Sequence, residues 1–247
     1  MSKLRVYKII GKNYFKLKDL FSNIKTIKYK AYINNFMLNK MLKILFIIVL
    51  VLLVLFANFK IVSLNLDFYQ KEFTKLNVYD KIPDADVHIE NLIDYFNDKE
   101  ELSSFFNEKE KLHLQDVKYL INIAFIIFYM LLILFLILSA YFIYKRNYLL
   151  ILDSLIISGF IIILLQAVFL LLNFSSGFIL FHKILFTNDL WLLNPETDNL
   201  INLFPEKFFY DISLKIMLNS LITSLMLIIL SFAVKFKVNK SFLKNNN

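Results

Sequence analysis

Residues 44–59, ILFIIVLVLLVLFANF, form a run of sixteen residues without a charged side chain. With its flanks this run extends over about residues 41–62, and three further apolar segments occupy about residues 119–144, 148–172 and 212–234. At 1.5 Å rise per residue, a helix of about 20 residues crosses the ~30 Å hydrocarbon core of a bilayer. The pattern therefore predicts an all-α integral membrane protein with four transmembrane helices.

The composition of the 247-residue chain supports that class and excludes several others. Hydrophobic residues make up 58% of the chain, above the ~45–50% that is usual in soluble domains. There is no cysteine, which excludes thiol nucleophiles, iron–sulfur clusters, thiolate zinc sites and disulfides. The three glycines lie far apart, at positions 11, 159 and 177, so the chain has no glycine-rich phosphate-binding loop.

The basic residues predict the orientation of the chain. The first 43 residues, the turn at 145–147 and the tail from residue 235 carry 17 Lys and Arg and one acidic residue. Loop one, about residues 63–118, and loop two, about residues 173–211, together carry nine lysines and eighteen acidic residues. The positive-inside rule then places both termini in the cytoplasm and both loops, with short interfacial helices, outside. The net charge of +8 thus reflects topology and does not indicate a nucleic-acid partner.

These features divide the chain into three parts. Residues 1–40 form a basic arm with aromatic and aliphatic residues among its lysines; the pattern is typical of an interfacial helix on anionic lipid, or of a topology signal alone. Residues 41–234 are expected to form a multi-pass domain in the cell membrane, and residues 235–247 a basic cytoplasmic tail. The first span is interpreted as an uncleaved anchor, because no A-x-A cleavage site follows it.

The candidate chemistry lies with the three histidines of the two loops. His113 and Asp116 share a face if their segment is helical, with Glu110 one turn earlier. A carboxylate beside an imidazole fixes its tautomer and raises its basicity, as a general base requires; a solvated, charged helix start is the alternative. His182 lies in a loop rich in aromatic residues, which is expected in the membrane interface. His88 lies in a hydrophilic stretch and is predicted to be solvated.

A metal site is a further possibility, since imidazole and carboxylate groups are common metal ligands. The signal is unspecific, because the chain has no H-E-x-x-H motif and 69 residues separate His113 from His182.

Two motifs together resemble one protein family. The first is Phe106-Asn107-Glu108 followed by His113-Leu114-Gln115-Asp116-Val117-Lys118; the second runs from Phe181-His182 through Phe186, Asn188, Trp191, Pro195 and Asp198 to Leu203-Phe204-Pro205-Glu206. Over about residues 41–234 the chain is similar to the four-span bacterial membrane proteins of the lipoprotein intramolecular transacylase (Lit) family.

The resemblance implies an acyltransferase without a cofactor or metal. Lit-type enzymes move the sn-2 acyl chain of a diacylglyceryl lipoprotein to the α-amino group of its own N-terminal cysteine, which gives the lyso form. The implied partners are the lipoprotein N-terminus and membrane lipid, with the site at the outer leaflet. The expected catalytic residues are His113 and His182, and the expected supporting residues are Asp116, Asn188, Trp191 and Asp198. His113 is favoured as the base because Asp116 can orient it, and Asp198 is expected to contact the amine.

Two other functions remain open from the sequence. One is a non-enzymatic membrane chaperone or interaction protein that binds exported proteins through loop one. The other is a metal-dependent membrane hydrolase.

Overall fold

The computed structural model describes residue 33 and residues 35–245, and every regular element among them is helical. In chain order the elements are α1 (Asn35–Ser63), α2 (Leu66–Lys75), a 3-10 turn (Val78–Asp80), α3 (Ala85–Phe96), α4 (Glu108–Tyr144), α5 (Tyr148–Leu171), α6 (Phe174–Leu185), α7 (Asn199–Leu203) and α8 (Glu206–Asn245). Helices α1, α4, α5 and α8 are long and apolar enough to cross a membrane. The prediction of four transmembrane helices is confirmed.

The basic arm lies almost entirely outside the described residues. By its internal contacts the chain divides into two compact units, Met1–Leu45 and Phe46–Asn247. All residues proposed for the functional site belong to the second unit.

Helix α4 is longer than its apolar segment, because its start is set by a capping box. The side-chain oxygen of Asn107 accepts a hydrogen bond from the Glu110 N–H (3.0 Å), and the Glu110 carboxylate accepts one from the Asn107 N–H (2.7 Å). The helix therefore begins at Glu108, eleven residues before the apolar segment. Its 37 residues correspond to about 55 Å, well beyond a ~30 Å hydrocarbon core.

Helices α5 and α8 pack against each other along much of their length, and a small residue permits their close approach. A Cβ atom at Gly159 would lie 2.6 Å from Ile228 Cγ1 and 3.1 Å from the backbone oxygen of Ser224. The buried Gln166 amide donates to the Met217 carbonyl (3.0 Å). Small residues and interhelical hydrogen bonds are the usual means of helix association in lipid.

Loops one and two fold onto each other around a shared apolar cluster, which we call the loop core. Its buried residues are Tyr69, Phe73, Val78, Ile82, Ala85, Ile89, Leu92, Phe106, Leu114, Leu200, Leu203, Phe204 and Phe208. Loop two was expected to place its aromatic residues in the bilayer interface. Phe204 and Phe208 instead pack inside protein, because α2 and α3 of loop one supply an apolar surface that covers them.

Candidate active site

The structure brings His113 and His182 together. His113 lies in the second turn of α4, and His182 lies near the end of α6. Their ring centroids are 6.3 Å apart, and the two residues are only 7% and 9% exposed. Two histidines that are distant in sequence therefore form one buried pair.

Aromatic rings enclose this histidine pair. The Phe186 ring centroid lies 5.1 Å from that of His113 and 5.6 Å from that of His182. The His182 ring also lies 4.9 Å from Trp191 and 4.3 Å from Phe178, centroid to centroid. Trp191 therefore borders the pair, and the apolar walls lower the local dielectric, which strengthens polar interactions made inside.

The backbone of α6 fixes the orientation of His182. Its Nδ1 lies 2.8 Å from the carbonyl oxygen of Phe178. A carbonyl oxygen only accepts hydrogen bonds, so Nδ1 carries the hydrogen and donates it. The lone pair of the neutral ring is then on Nε2, the form that can take a proton.

His113 is held in a different way. Its Nδ1 is buried and has no hydrogen-bond partner within residues 35–245. The carboxylate of Asp116 instead accepts a hydrogen bond from the Asn188 side-chain amide (2.9 Å). The structure thus differs from the expectation that Asp116 orients His113, because loop two supplies a better-placed donor for this half-buried carboxylate.

Asn188 connects α4 to the part of loop two that carries Trp191. Its amide nitrogen donates to Asp116, and its side-chain oxygen accepts from the Leu190 N–H (3.1 Å). Such a local turn, closed by an asparagine side chain, fixes the path of a short loop. Asp116 and Asn188 were both predicted as supporting residues. Their hydrogen bond joins the start of α4 to loop two.

Asp198 anchors loop two to the start of α4. Its carboxylate accepts from the Asn194 N–H (2.7 Å) and the Asn107 amide (2.9 Å), and Lys109 Nζ lies 3.7 Å away. The Asn194 N–H lowers the pKa of Asp198 below its usual value, and Asn107 and Lys109 act in the same direction, whereas burial opposes them. Both carboxylate oxygens accept hydrogen bonds from the fold and Asp198 is buried, so the structure gives this residue an anchoring role, and its contact with a substrate amine stays a prediction.

Glu110 was placed on the same helix face as His113 and Asp116 but was not predicted as a site residue, although its side chain is completely buried. Besides the Asn107 N–H, the Glu110 carboxylate accepts the N–H of Leu200 in α7. The N-x-x-E spacing from Asn107 to Glu110 is a recognisable capping signal. Nothing in the sequence indicated the partner 90 residues further on.

His88 was predicted to be solvated, and this prediction is wrong. Its side chain is 12% exposed and stacks on Phe105, with ring centroids 3.6 Å apart. Phe105, at the end of loop one, covers one face of the ring, and its Nε2 lies 3.3 Å from the Asp84 carboxylate one turn earlier.

A cavity of about 500 Å³ adjoins the histidine pair. Phe186 and Trp191 line this cavity and also lie against the His182 ring. Its remaining lining residues are Ile179, Lys183, Thr187, Asn188, Asp189 and Leu192. Among the residues that the structure describes, no group of three or more His, Cys, Asp or Glu side chains is placed to hold a metal ion. The arrangement is suited to proton transfer on an amphiphilic molecule.

Solved structures of the lipoprotein intramolecular transacylase Lit from Bacillus cereus have the same fold. One is 24% identical, with a TM-score of 0.64 over 83% of this chain and 98% of that chain. A variant in which a histidine is replaced by arginine is 23% identical, with a TM-score of 0.70 over 87% and 99% of the two chains.

None of the curated proteins matches the chain. The sequence model of the family described as lipoprotein intramolecular transacylase Lit matches residues 44–209, about two thirds of the sequence. The chain therefore belongs to the Lit family of lipoprotein intramolecular transacylases.

Proposed function

We propose that this protein converts a diacylglyceryl lipoprotein to its lyso form by moving the sn-2 acyl chain to the α-amino group of the lipoprotein's own N-terminal cysteine. The observation that carries the proposal is the buried pair of His113 and His182 inside an aromatic enclosure. Family membership supports the reaction class.

We further propose that both termini are cytoplasmic and that the histidine pair works at the outer leaflet of the cytoplasmic membrane. The support is the charge distribution: the basic residues are concentrated in the terminal segments and the 145–147 turn, and the acidic residues in the two loops. The acylated end of a lipoprotein lies in the same leaflet, so the substrate reaches the site by lateral diffusion.

His182 is the general base in this proposal, in place of His113, which the sequence favoured for that role. The Phe178 carbonyl leaves the lone pair of neutral His182 on Nε2, whereas no hydrogen bond within residues 35–245 fixes the His113 ring through Nδ1. Nε2 takes a proton from the α-amino group as its nitrogen attacks the ester carbonyl. The amine is neutral when it attacks, and this form is reached at modest cost near neutral pH because the ordinary pKa of an α-ammonium group is about 7.7–8.0.

His113 handles the oxygen side of the reaction. Its N–H donates a hydrogen bond to the carbonyl oxygen as that oxygen gains negative charge. The proton that His182 took from the amine is then delivered to the departing glyceryl oxygen. A carbon–nitrogen bond forms, the carbon–oxygen ester bond breaks, and one proton passes from nitrogen to the glyceryl oxygen. Two protonated rings 6.3 Å apart in a buried site would repel each other, so the pair carries at most one extra proton at a time.

The substrate itself supplies proximity, because ester and amine belong to one molecule. Direct transfer then needs no acyl-enzyme intermediate, in agreement with a chain that has no cysteine. The aromatic enclosure holds the flexible substrate in a compact shape and keeps competing water away from the ester.

The test is expression in a bacterial host that lacks the lyso form, with mass spectrometry of a reporter lipoprotein's N-terminal peptide. His113→Ala and His182→Ala should each lower the yield of lyso form by about 100-fold or more, the usual range for a lost acid–base group. Leu112→Ala and Ile184→Ala are matched controls, since these neighbours are 52% and 70% exposed and should retain activity. Normal yields from both histidine variants would refute the site.

A further inference from the structure

Loop one carries a second cavity of about 690 Å³, which we call the α3 cleft. Its walls are α3, the segments 81–84 and 100–105, and Asn199 of α7. No residue lines both this cleft and the cavity beside the histidine pair. The proposed acyl transfer therefore leaves the α3 cleft without a role.

One wall of the α3 cleft is firmly held in place. The Asn91 side-chain oxygen accepts the Ser103 N–H (2.9 Å), and its amide donates to the Glu101 carbonyl (2.9 Å). The His88 ring lies flat on Phe105 in the same wall. A cleft with fixed walls binds a ligand at lower entropic cost than a mobile surface does.

The lining is strongly acidic. Four carboxylates face the α3 cleft against a single lysine, Lys81, and they are Asp84, Glu90, Asp94 and Glu100. The Lys81 ammonium donates to Asn202. Among the carboxylates, Asp94 is paired with Lys99, Asp84 lies 3.3 Å from His88 Nε2, and Glu100 accepts from the Asn91 amide. Concave surfaces lined by one sign of charge focus the field and attract ligands of the opposite sign.

The lining also offers hydrogen-bonding groups for a polypeptide. The Ser103 hydroxyl oxygen is buried and has no partner in the part of the chain that the structure describes. Buried polar atoms are seldom left without a hydrogen bond, so this hydroxyl has a hydrogen-bonding capacity that no described residue uses.

The α3 cleft is joined to the histidine pair by a short, well-connected segment. The Asn199 amide donates to the Phe105 carbonyl (2.6 Å) at the edge of the cleft. Two residues after Phe105, Asn107 caps α4, and His113 follows six residues later, about 9 Å along the helix axis. Phe105 and His113 are therefore less than about 20 Å apart, which an extended peptide of about six residues can span.

We propose that the α3 cleft binds the polypeptide part of the lipoprotein substrate, a few residues after the acylated cysteine, and prefers lysine and arginine there. This inference rests on the proposed function, since only a substrate anchored by its acyl chains at the histidine pair places that segment over loop one. The cleft then contributes to substrate choice, which the chemistry at the N-terminal cysteine does not provide.

The experiment uses two reporter lipoproteins that differ only at about positions five to nine after the cysteine, with lysines in one and glutamates in the other. The relative kcat/KM for lyso-form production should favour the lysine reporter by about fivefold, as expected for a few exposed charge pairs. Glu90→Lys should reduce that ratio to about twofold or less. Asp67→Lys, the same charge change at an exposed α2 position outside the lining, should leave the ratio unchanged.

The outcomes separate the two proposals. A ratio near one in the unmodified protein, or a ratio that Glu90→Lys leaves unchanged, would overturn the α3 cleft proposal while lyso-form production still supports the transacylase. Absence of lyso form from every reporter would overturn the proposed function, and the cleft proposal with it. Ratios that shift as expected, and that diminish with added salt, support both.

Discussion

The loop core with its histidine pair and the α5–α8 helix pair are held together by different means. The close contact between α5 and α8 depends on the small size of Gly159, which leaves room for the Ile228 side chain. Most buried hydroxyl groups of these two helices donate hydrogen bonds to carbonyls of their own helix. Between the loops and the start of α4, two buried carboxylates, Glu110 and Asp198, bind backbone and side-chain donors from distant segments. Polar groups thus set the geometry where the chemistry is proposed, and packing sets it where the helices cross the membrane.

The physical reason for this difference is the surrounding solvent. In lipid an unsatisfied polar group is very costly, so helices satisfy their backbone internally and meet through small residues. In the loops a buried carboxylate can select one arrangement of several segments, provided that each oxygen is satisfied. Breaking each type of contact in turn tests this contrast.

The largest effect on stability is expected for Glu110→Ala. Removing this buried carboxylate leaves the N–H groups of Asn107 and Leu200 without their acceptor, at about 3 kcal/mol of unfolding free energy in total. Thermal unfolding in detergent, followed by fluorescence of the only tryptophan, Trp191, measures the loss. Glu108→Ala is the matched control, because Glu108 is 88% exposed and should change stability by less than about 0.5 kcal/mol. Equal losses of stability in the two variants would show that the buried carboxylate of Glu110 does not hold the loops together.

A smaller loss is expected for Gly159→Ala in the helix pair. The added Cβ would lie 2.6 and 2.9 Å from two Ile228 atoms, and overpacking of this kind costs about 1–3 kcal/mol. Adding Ile228→Ala should recover part of that cost in a double-mutant cycle. Gly177→Ala serves as the control, because no atom outside its own stretch of helix, among the residues that the structure describes, lies within 4 Å of its added Cβ. If Gly159→Ala is as stable as Gly177→Ala, close packing is not what holds α5 to α8.

The smallest effect on stability, but a measurable one on activity, is expected at Asp116. Asp116→Ala removes the hydrogen bond to Asn188 and should lower kcat by about fivefold, as a misplaced loop does, while stability changes by less than about 1 kcal/mol. Asp116→Asn retains an acceptor oxygen without the charge, so it should recover most of the activity if Asp116 acts by positioning loop two. If Asp116→Asn is as impaired as Asp116→Ala, and the pH profile of kcat shifts equally in both, Asp116 acts on His113 through its charge instead.

The spans were predictable because hydropathy is a local property. About 20 consecutive apolar residues form a helix in lipid whatever surrounds them. The ends of the helices were less predictable: α4 begins at Glu108 because of its Asn107 cap, and α8 begins at Glu206, six residues before the apolar segment. Hydropathy marks the part of a helix that needs lipid, and the cap marks where the helix starts.

The sequence named candidate residues for the site but not the contacts between them. His113, His182, Asn188 and Trp191 carry the motif resemblance, and the structure places the two histidines together with Trp191 against His182. That Phe178 orients His182 and that Asn188 binds Asp116 could not be foreseen. Both contacts depend on how a turn or a distant segment folds, which residue spacing does not encode.

By itself the sequence determined the class of protein, the number of spans, the family and the pair of histidines, because each depends on residue types along short stretches. Only the tertiary structure decided which histidine has a fixed tautomer, which carboxylates are occupied by the fold, and that loops one and two share a core. These are properties of contacts between segments up to about 140 residues apart, such as Lys75 with Asp211. The free energy of such contacts depends on burial and mutual geometry, which arise only when the chain folds.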